Sequence, residues 1–238
     1  MNPFARRLAL VPMLTLAVVA CSDGDGFDGD ESPPAGQPAP PGPAAPTQPA
    51  TQGKAYKWSF DDVAPGGLPP GFVGPLGDWK VQPESAAQSA PNVLRQLAKL
   101  SGSQFPLVYV DTLEFTDATV KVRCRPESGV EDQACGLVFR LQDKGNYFIT
   151  RANALEGNVR LYKVVNGVRQ QFATVNRNVT AGQWHTLEAT AKGTSLSVGW
   201  DGETLIQASE ATFAKGRVGI WVKADSITAF DDFEVTAL

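Results

Sequence analysis

From residue 54 onward, apolar side chains recur at every second position. Tyr56, Trp58 and Phe60 alternate with polar neighbours, as do Trp79 and Val81, then Val120, Val122 and Cys124, then Cys135, Leu137, Phe139 and Leu141. The same period returns at Leu196, Val198 and Trp200, at Val218, Ile220 and Val222, at Ile227 and Ala229, and at Phe233 and Val235. A period of two marks strands that lay one face on a core. Turn chemistry separates the runs: Asp143-Lys144-Gly145-Asn146, Glu156-Gly157-Asn158, Asn166-Gly167 and Asp201-Gly202. Asn-Gly and Asp-Gly supply positive φ at low cost and are strong hairpin signals. The one stretch that admits a helix is residues 92–100, with Ala90-Pro91 ahead of it to start one. Many short strands with near-regular turns predict an all-β domain, a sandwich or a barrel.

The pattern before residue 54 is different in kind. Arg6 and Arg7 precede an almost wholly apolar run over residues 8–20. That run is shorter than the ~20 residues needed to cross a bilayer and has the length of a signal-peptide core. It ends in Val18-Val19-Ala20-Cys21, which resembles the bacterial lipobox. The resemblance implies export, cleavage before Cys21 and lipidation of that cysteine, so residues 1–20 are read as a lipoprotein signal peptide. Several acyl chains, at ~0.8 kcal/mol per buried CH₂, hold a protein durably to a membrane. Residues 21–53 are then a tether. Asp23, Asp25, Asp28, Asp30 and Glu31 alternate with glycine, and a proline-rich run follows. Neither composition buries enough apolar surface to offset chain entropy. In the bacterial lipoproteins that this segment resembles, aspartate after the cysteine favours the inner membrane, so the resemblance with Ser22 in that place implies the outer membrane of a bacterial cell envelope, with the folded part outside the cytoplasm.

Charge supports the division. The whole chain carries −4; the tether holds five acids and no base, and the leader holds two arginines, which leaves −1 for residues 54–238. A nearly neutral domain lacks the clustered basic charge that draws nucleic acid, so none is expected as a partner. Besides Cys21 only Cys124 and Cys135 remain, and His185 is the single histidine, which argues against a structural zinc site. If the strand ending near Arg125 pairs antiparallel with the one starting near Ala134, a register that opposes Cys124 and Cys135 also opposes Val122 to Leu137 and Val120 to Phe139. Directly opposed residues lie within disulfide reach, and an exported compartment permits the bond.

Several segments together carry a family likeness. They are residues 136–143, 145–153 and 160–167, then Gly182-Gln183-Trp184-His185-Thr186-Leu187, Gly216-Arg217-Val218-Gly219-Ile220-Trp221 and Phe230-Asp231-Asp232-Phe233. This series resembles the concanavalin A-like lectin/glucanase superfamily, and within it laminin G-like domains and the bacterial 3-keto-disaccharide hydrolase domain. The resemblance covers most of residues 56–238. It implies a jelly-roll sandwich of two curved antiparallel sheets whose concave face often binds glycans.

Glycosidic hydrolysis generally needs two suitably spaced carboxylates. The Glu-x-Asp-x-x-Glu strand of family 16 glycoside hydrolases is absent here, and Glu131-Asp132 and Asp231-Asp232 do not project as a pair from one strand. Keto-disaccharide hydrolases do not require that pair in the same form. His185 follows Trp184 where the family starts a structural strand, so it is read as structural. Binding has more positive support. Trp221 has the parity opposite to Val218, Ile220 and Val222, and shares it with Arg217 and Lys223. Arg140 lies opposite in parity to Leu137, Phe139 and Leu141, and Lys121, Arg123 and Arg125 project beside it under the pairing above. Tyr147, Arg151 and Asn153 share a parity on the next strand. Arg140, Arg151, Asn153, Trp221 and Lys223 are therefore expected to converge on a concave basic-aromatic face that binds a glycan or polysaccharide. The competing readings are a hydrolase and a structural or adhesive lipoprotein. No cofactor is required. Calcium would need Asp61-Asp62 to approach Asp231-Asp232, and capping of turns by these aspartates is the favoured role.

Overall fold

The computed structural model describes residues 47–238. Residues 1–46, on which the expected signal peptide, Cys21 and most of the expected tether fall, lie outside the described residues. Seventeen strands and no helix make up what is described. In chain order they are β1 (Gln48–Pro49), β2 (Ala55–Trp58), β3 (Phe72–Leu76), β4 (Trp79–Pro83), β5 (Asn92–Gln96), β6 (Leu107–Val110), β7 (Leu113–Glu114), β8 (Ala118–Ser128), β9 (Ala134–Asp143), β10 (Asn146–Asn153), β11 (Asn158–Val165), β12 (Val168–Asn176), β13 (His185–Lys192), β14 (Ser195–Trp200), β15 (Glu203–Ser209), β16 (Arg217–Trp221) and β17 (Ile227–Ala237).

Two antiparallel sheets hold nearly all of them. One runs β12-β11-β10-β9-β16-β6-β3; the other runs β15-β14-β13-β8-β17-β5-β4, with β2 also on β17. The short β1 and β7 form a parallel pair beside them. The predicted sandwich is thus present, and its hairpins close where expected. Asn166-Gly167 joins β11 to β12 and Asp201-Gly202 joins β14 to β15, with positive φ at all four residues, as a two-residue hairpin turn demands.

The alternation in β8 shows how sequence selects a face. Val120, Val122 and Cys124 are buried and face the other sheet, while Lys121, Arg123 and Arg125 point outward. Opposite them Leu187 and Ala189 of β13 point inward. Leu137, Phe139, Phe148 and Ile220 come from the other sheet, all 2% exposed or less. Each such side chain contributes ~1.5–3 kcal/mol by leaving water. β9 and β10 depart from alternation: residues 134–141 and 147–153 are buried throughout. A strand covered on both faces loses the polar half of its pattern.

Four expectations need correction. Residues 92–96 are a strand, not a helix, because β5 is paired on both sides by β4 and β17; tertiary pairing overrides weak local preference. The Cys124–Cys135 disulfide is present, with Cα atoms 6.1 Å apart, but its strands are not neighbours. β8 pairs with β13 and β17, β9 with β10 and β16. The bond therefore joins the two sheets across the core. It follows that Lys121, Arg123 and Arg125 lie on the outer face of the other sheet from β9 and not beside Arg140. Finally, the sandwich takes in part of the stretch read as tether. Gln48 and Ala50 donate backbone N–H groups to Thr112 and Glu114 (2.9 and 2.7 Å), and Gly53 donates to Ala237 (2.8 Å).

Candidate functional site

The outer face of the seven-stranded sheet is built around an empty position. Gly136 on β9 has Arg151 of β10 on one side and Trp221 of β16 on the other, and Arg160 of β11 lies beyond Arg151. With no side chain at Gly136, the Trp221 indole settles over the sheet. A β-carbon there would lie 2.9 Å from Trp221 Cε3.

Rings and cations fill the surroundings. Phe105 stacks on Trp221 with centroids 5.5 Å apart and planes at 24°. The guanidinium of Arg169, from the edge strand β12, lies 4.7 Å from both the Phe105 and Tyr162 ring centroids and 5.9 Å from that of Trp221. Arg151 lies 5.8 Å from the Tyr162 ring. Arginine over aromatic faces is favourable by ~0.5–2 kcal/mol per contact, the more so when water is excluded.

A polar network borders the rings. Asp132 is fully buried; its carboxylate accepts from Lys223 Nζ (2.6 Å) and Asn153 Nδ2 (2.5 Å). Glu156 accepts from Arg151 (2.8 Å), Arg160 (2.7 Å) and Asn158 Nδ2 (3.3 Å). Burial raises the Asp132 carboxyl above its ordinary range, against the pull of Lys223 and Arg151. Burial also works to raise Glu156, but Arg151, Asn158 and Arg160 outweigh it and hold that carboxyl low. Four cations, Arg151, Arg160, Arg169 and Lys223, thus meet two carboxylates. Several donors are left over. Trp221 Nε1, Arg151 Nε, Arg160 Nε and Arg169 Nη1 are buried without a hydrogen-bond partner; the indole N–H comes near the Tyr147 hydroxyl without hydrogen-bond geometry.

The structure brings together four of the five residues singled out in the sequence: Arg151, Asn153, Trp221 and Lys223. They are more deeply buried than a solvated face would be, with Trp221 and Asn153 fully covered and Arg151 1% exposed. Arg140 does not join them. It sits at a β-bulge with φ 49°, and its guanidinium donates to the Thr116 and Phe213 carbonyls and pairs with Asp117. That is a structural clasp at another place on the sheet. Sequence reasoning missed Arg160, Tyr162, Arg169 and Phe105, and it gave Asp132 no role. The alternation Arg160-Leu161-Tyr162 carried the signal for the first two.

Other candidate chemistry resolves into structure. His185 opens β13, stacks on Trp200 and meets Asp201 at Nδ1 and the Thr180 carbonyl at Nε2, so both ring nitrogens are occupied. Asp61 accepts the Asn92 backbone N–H, and Asp231 accepts those of Gln88, Ser89 and Asp232. Among the described residues no three acidic, histidine or cysteine side chains are grouped to hold a metal ion. A groove of about 490 Å³ on the outer face of the eight-stranded sheet is lined by Lys57, Lys121, Arg123, Thr186, Asp232 and Glu234. It follows a bulge in β17. Trp58 borders it, but its ring packs on Phe72 and Phe233.

Comparison with solved structures places the architecture. The carbohydrate binding module CBM66 from Bacillus subtilis superposes with a TM-score of 0.58 at 18% identity, over 69% of this chain and 94% of that one. A protein of unknown function with a galectin-like fold, also from Bacillus subtilis, superposes with a TM-score of 0.52 at 14% identity, over 69% and 87%. No family model and no curated protein matches the chain. Likeness at these identities is likeness of fold, and the fold is a two-sheet, concanavalin A-like jelly-roll sandwich.

Proposed function

We propose that this sandwich binds saccharide without cleaving it, at the arginine and aromatic face of the seven-stranded sheet. The observation that carries the reading is the set of partnerless N–H groups on Arg151, Arg160 and Arg169 beside the rings of Phe105, Tyr162 and Trp221. An unsatisfied buried donor costs ~1–3 kcal/mol. Arg95, Arg123 and Arg217 carry further partnerless Nε groups elsewhere, so it is the grouping with three rings on one face that points to a ligand. Sugars offer the complement: many oxygen acceptors around a ring whose C–H face stacks on aromatics. The solved carbohydrate binding module of the same fold is consistent with this use of the architecture.

Hydrolysis is the rival, and the two acids speak against it. Asp132 is fully buried and locked to Lys223 and Asn153, so it cannot reach a leaving-group oxygen. Glu156 is neutralised by two guanidiniums. A polysaccharide panel run by affinity electrophoresis, with a parallel reducing-end assay, tests the reading. Retarded migration without new reducing ends is expected, with at least tenfold weaker binding in Arg160→Ala. Absence of binding across the panel, or sugar release abolished by Glu156→Gln, would overturn it.

The envelope setting is part of the same proposal. The lipobox-like run before Cys21 and the acidic, proline-rich tether support a lipid-anchored protein, with Ser22 favouring the outer membrane. Labelled palmitate should enter the wild-type chain and not Cys21→Ala, and the variant should leave the membrane fraction. Equal labelling of the two would refute lipidation at that cysteine.

A further inference from the structure

We propose that the saccharide carries a carboxylate and that Arg169 reads it; this rests on the saccharide reading above. Three of the four cations on the face already have a carboxylate. Arg151 and Arg160 share Glu156, and Lys223 holds Asp132. Arg169 takes part in none of these pairs. Its contacts are with ring faces: Phe105 and Tyr162 at 4.7 Å and Trp221 at 5.9 Å.

Rings satisfy only part of a guanidinium. They meet its flat surface and leave its N–H groups, which lie in the plane, without acceptors. Arg169 Nη1 is such a group, buried and partnerless. With Nη1 enclosed, a planar carboxylate fits the open Nε and Nη2 edge of the fork with two parallel hydrogen bonds and also neutralises the charge. A sugar hydroxyl supplies the acceptor but not the charge.

The electrostatics of the face point the same way. Four cations against two carboxylates leave an excess of two positive charges. Burial disfavours the charged form of Arg169 and the nearby Arg151 adds to that, while Tyr162 and Asp132 offset only part. An incoming anion would relieve both costs. Arg169 is also reachable. It projects from the edge strand β12 and keeps part of its surface in solvent, whereas Trp221 is fully covered. The half-buried Phe105 beneath it gives the sugar ring an apolar surface to lie on.

The test separates carboxylate recognition from saccharide binding in general. Trigalacturonate, an alginate trimer and a glucuronan trimer, each with its methyl ester, are titrated calorimetrically into the full chain and into Arg169→Gln and Arg169→Lys. The ester keeps the ring and its hydroxyls and removes the charge. At least one acid should bind tenfold or more tightly than its ester. Arg169→Gln should erase that gap, and Arg169→Lys should keep part of it. Raising salt should weaken the acid and leave the ester unchanged. Equal binding of acid and ester overturns the proposal, as does a gap that survives in Arg169→Gln. Either result leaves the saccharide reading standing. Failure of every acid while neutral glycans bind also overturns the proposal alone; failure of all glycans removes both. The comparison of acid with ester on the wild-type chain decides the matter even if the variants fold poorly.

Discussion

Trp221 rests against the bare Cα of Gly136, and the space is filled to the limit. A methyl group on Gly136 would come within 2.7 Å of the Trp221 carbonyl oxygen and 2.9 Å of its ring. Gly136→Ala should therefore destabilise the fold by ~1–3 kcal/mol, the usual cost of overpacking. For a chain of this size that is ~2–4 °C of melting temperature per kcal/mol. Because the indole must move, the near-ultraviolet circular dichroism should change as well. A variant with wild-type melting and spectrum would show that the face yields more readily than its contacts indicate.

The Cys124–Cys135 bond spans the core between the sheets and closes a short loop, with a sequence separation of 11. Replacing both cysteines by alanine should lower stability by ~2–4 kcal/mol. Reductant should lower the melting temperature of the wild type and leave the double variant unaffected. Equal sensitivity of the two proteins to reductant would mean that the bond contributes nothing.

Stability should fall in acid, and two glutamates set the window. The Ala86 backbone N–H, with Arg125 and Arg95, holds the Glu84 carboxyl at about 2 against the effect of burial. The Thr212 hydroxyl and Lys163 hold Glu210 at about 2. Both lie below the ordinary 4.5, so the unfolded chain takes up these protons first as pH falls. Their contribution is complete above about 4.5 and lost on the way down to about 2. Asp132 and Asp231 work in the opposite sense. Burial raises both, so protonation relieves a cost they impose at neutral pH. The net loss should be read from melting temperature against pH. Glu84→Gln should melt lower than wild type at pH 7 and approach it near pH 2. A constant difference between the two would contradict this assignment.

Asp225 shapes the corner where the chain crosses from one sheet to the other. Its carboxylate accepts the backbone N–H groups of Val130 (2.6 Å), Glu131 (3.1 Å) and Asp132 (3.0 Å). Asp225→Ala should cost ~1–3 kcal/mol by leaving these donors without their acceptor. It should also raise amide exchange at residues 130–132. Because the same corner presents Asp132 to Lys223, saccharide affinity should drop several-fold. Unchanged exchange at these amides would show that the turn holds itself.

The strands were legible because a period of two and Asn-Gly or Asp-Gly turns are local signals. Val120, Val122 and Cys124 identify their face without knowledge of any partner. Which sheet receives that face is not local. The cysteine pair is compatible with two neighbouring strands or with two facing sheets, and only the pairing of β8 with β13 and β17 decides. Arg140 misled for a related reason. Parity counting assumes an unbroken ladder, and the bulge at this residue redirects its side chain. Arg151, Asn153 and Trp221 were found because β10 and β16 are regular at those positions, and Lys223 follows just past the end of β16. Arg169 escaped because its role depends on reaching across three strands to Trp221, a relationship invisible in the order of residues.

β9 and β10 have no free side, whereas β8 keeps one. A scan of every substitution would therefore draw a dashed line of tolerance along β8 and a solid line of intolerance along β9 and β10. Half of the solid line records the interior between the sheets; the other half, through Gly136, Arg151 and Asn153, records the outer face. Dyes and crosslinkers belong instead on the rim, where Val168 is 60% exposed just past the turn into β12.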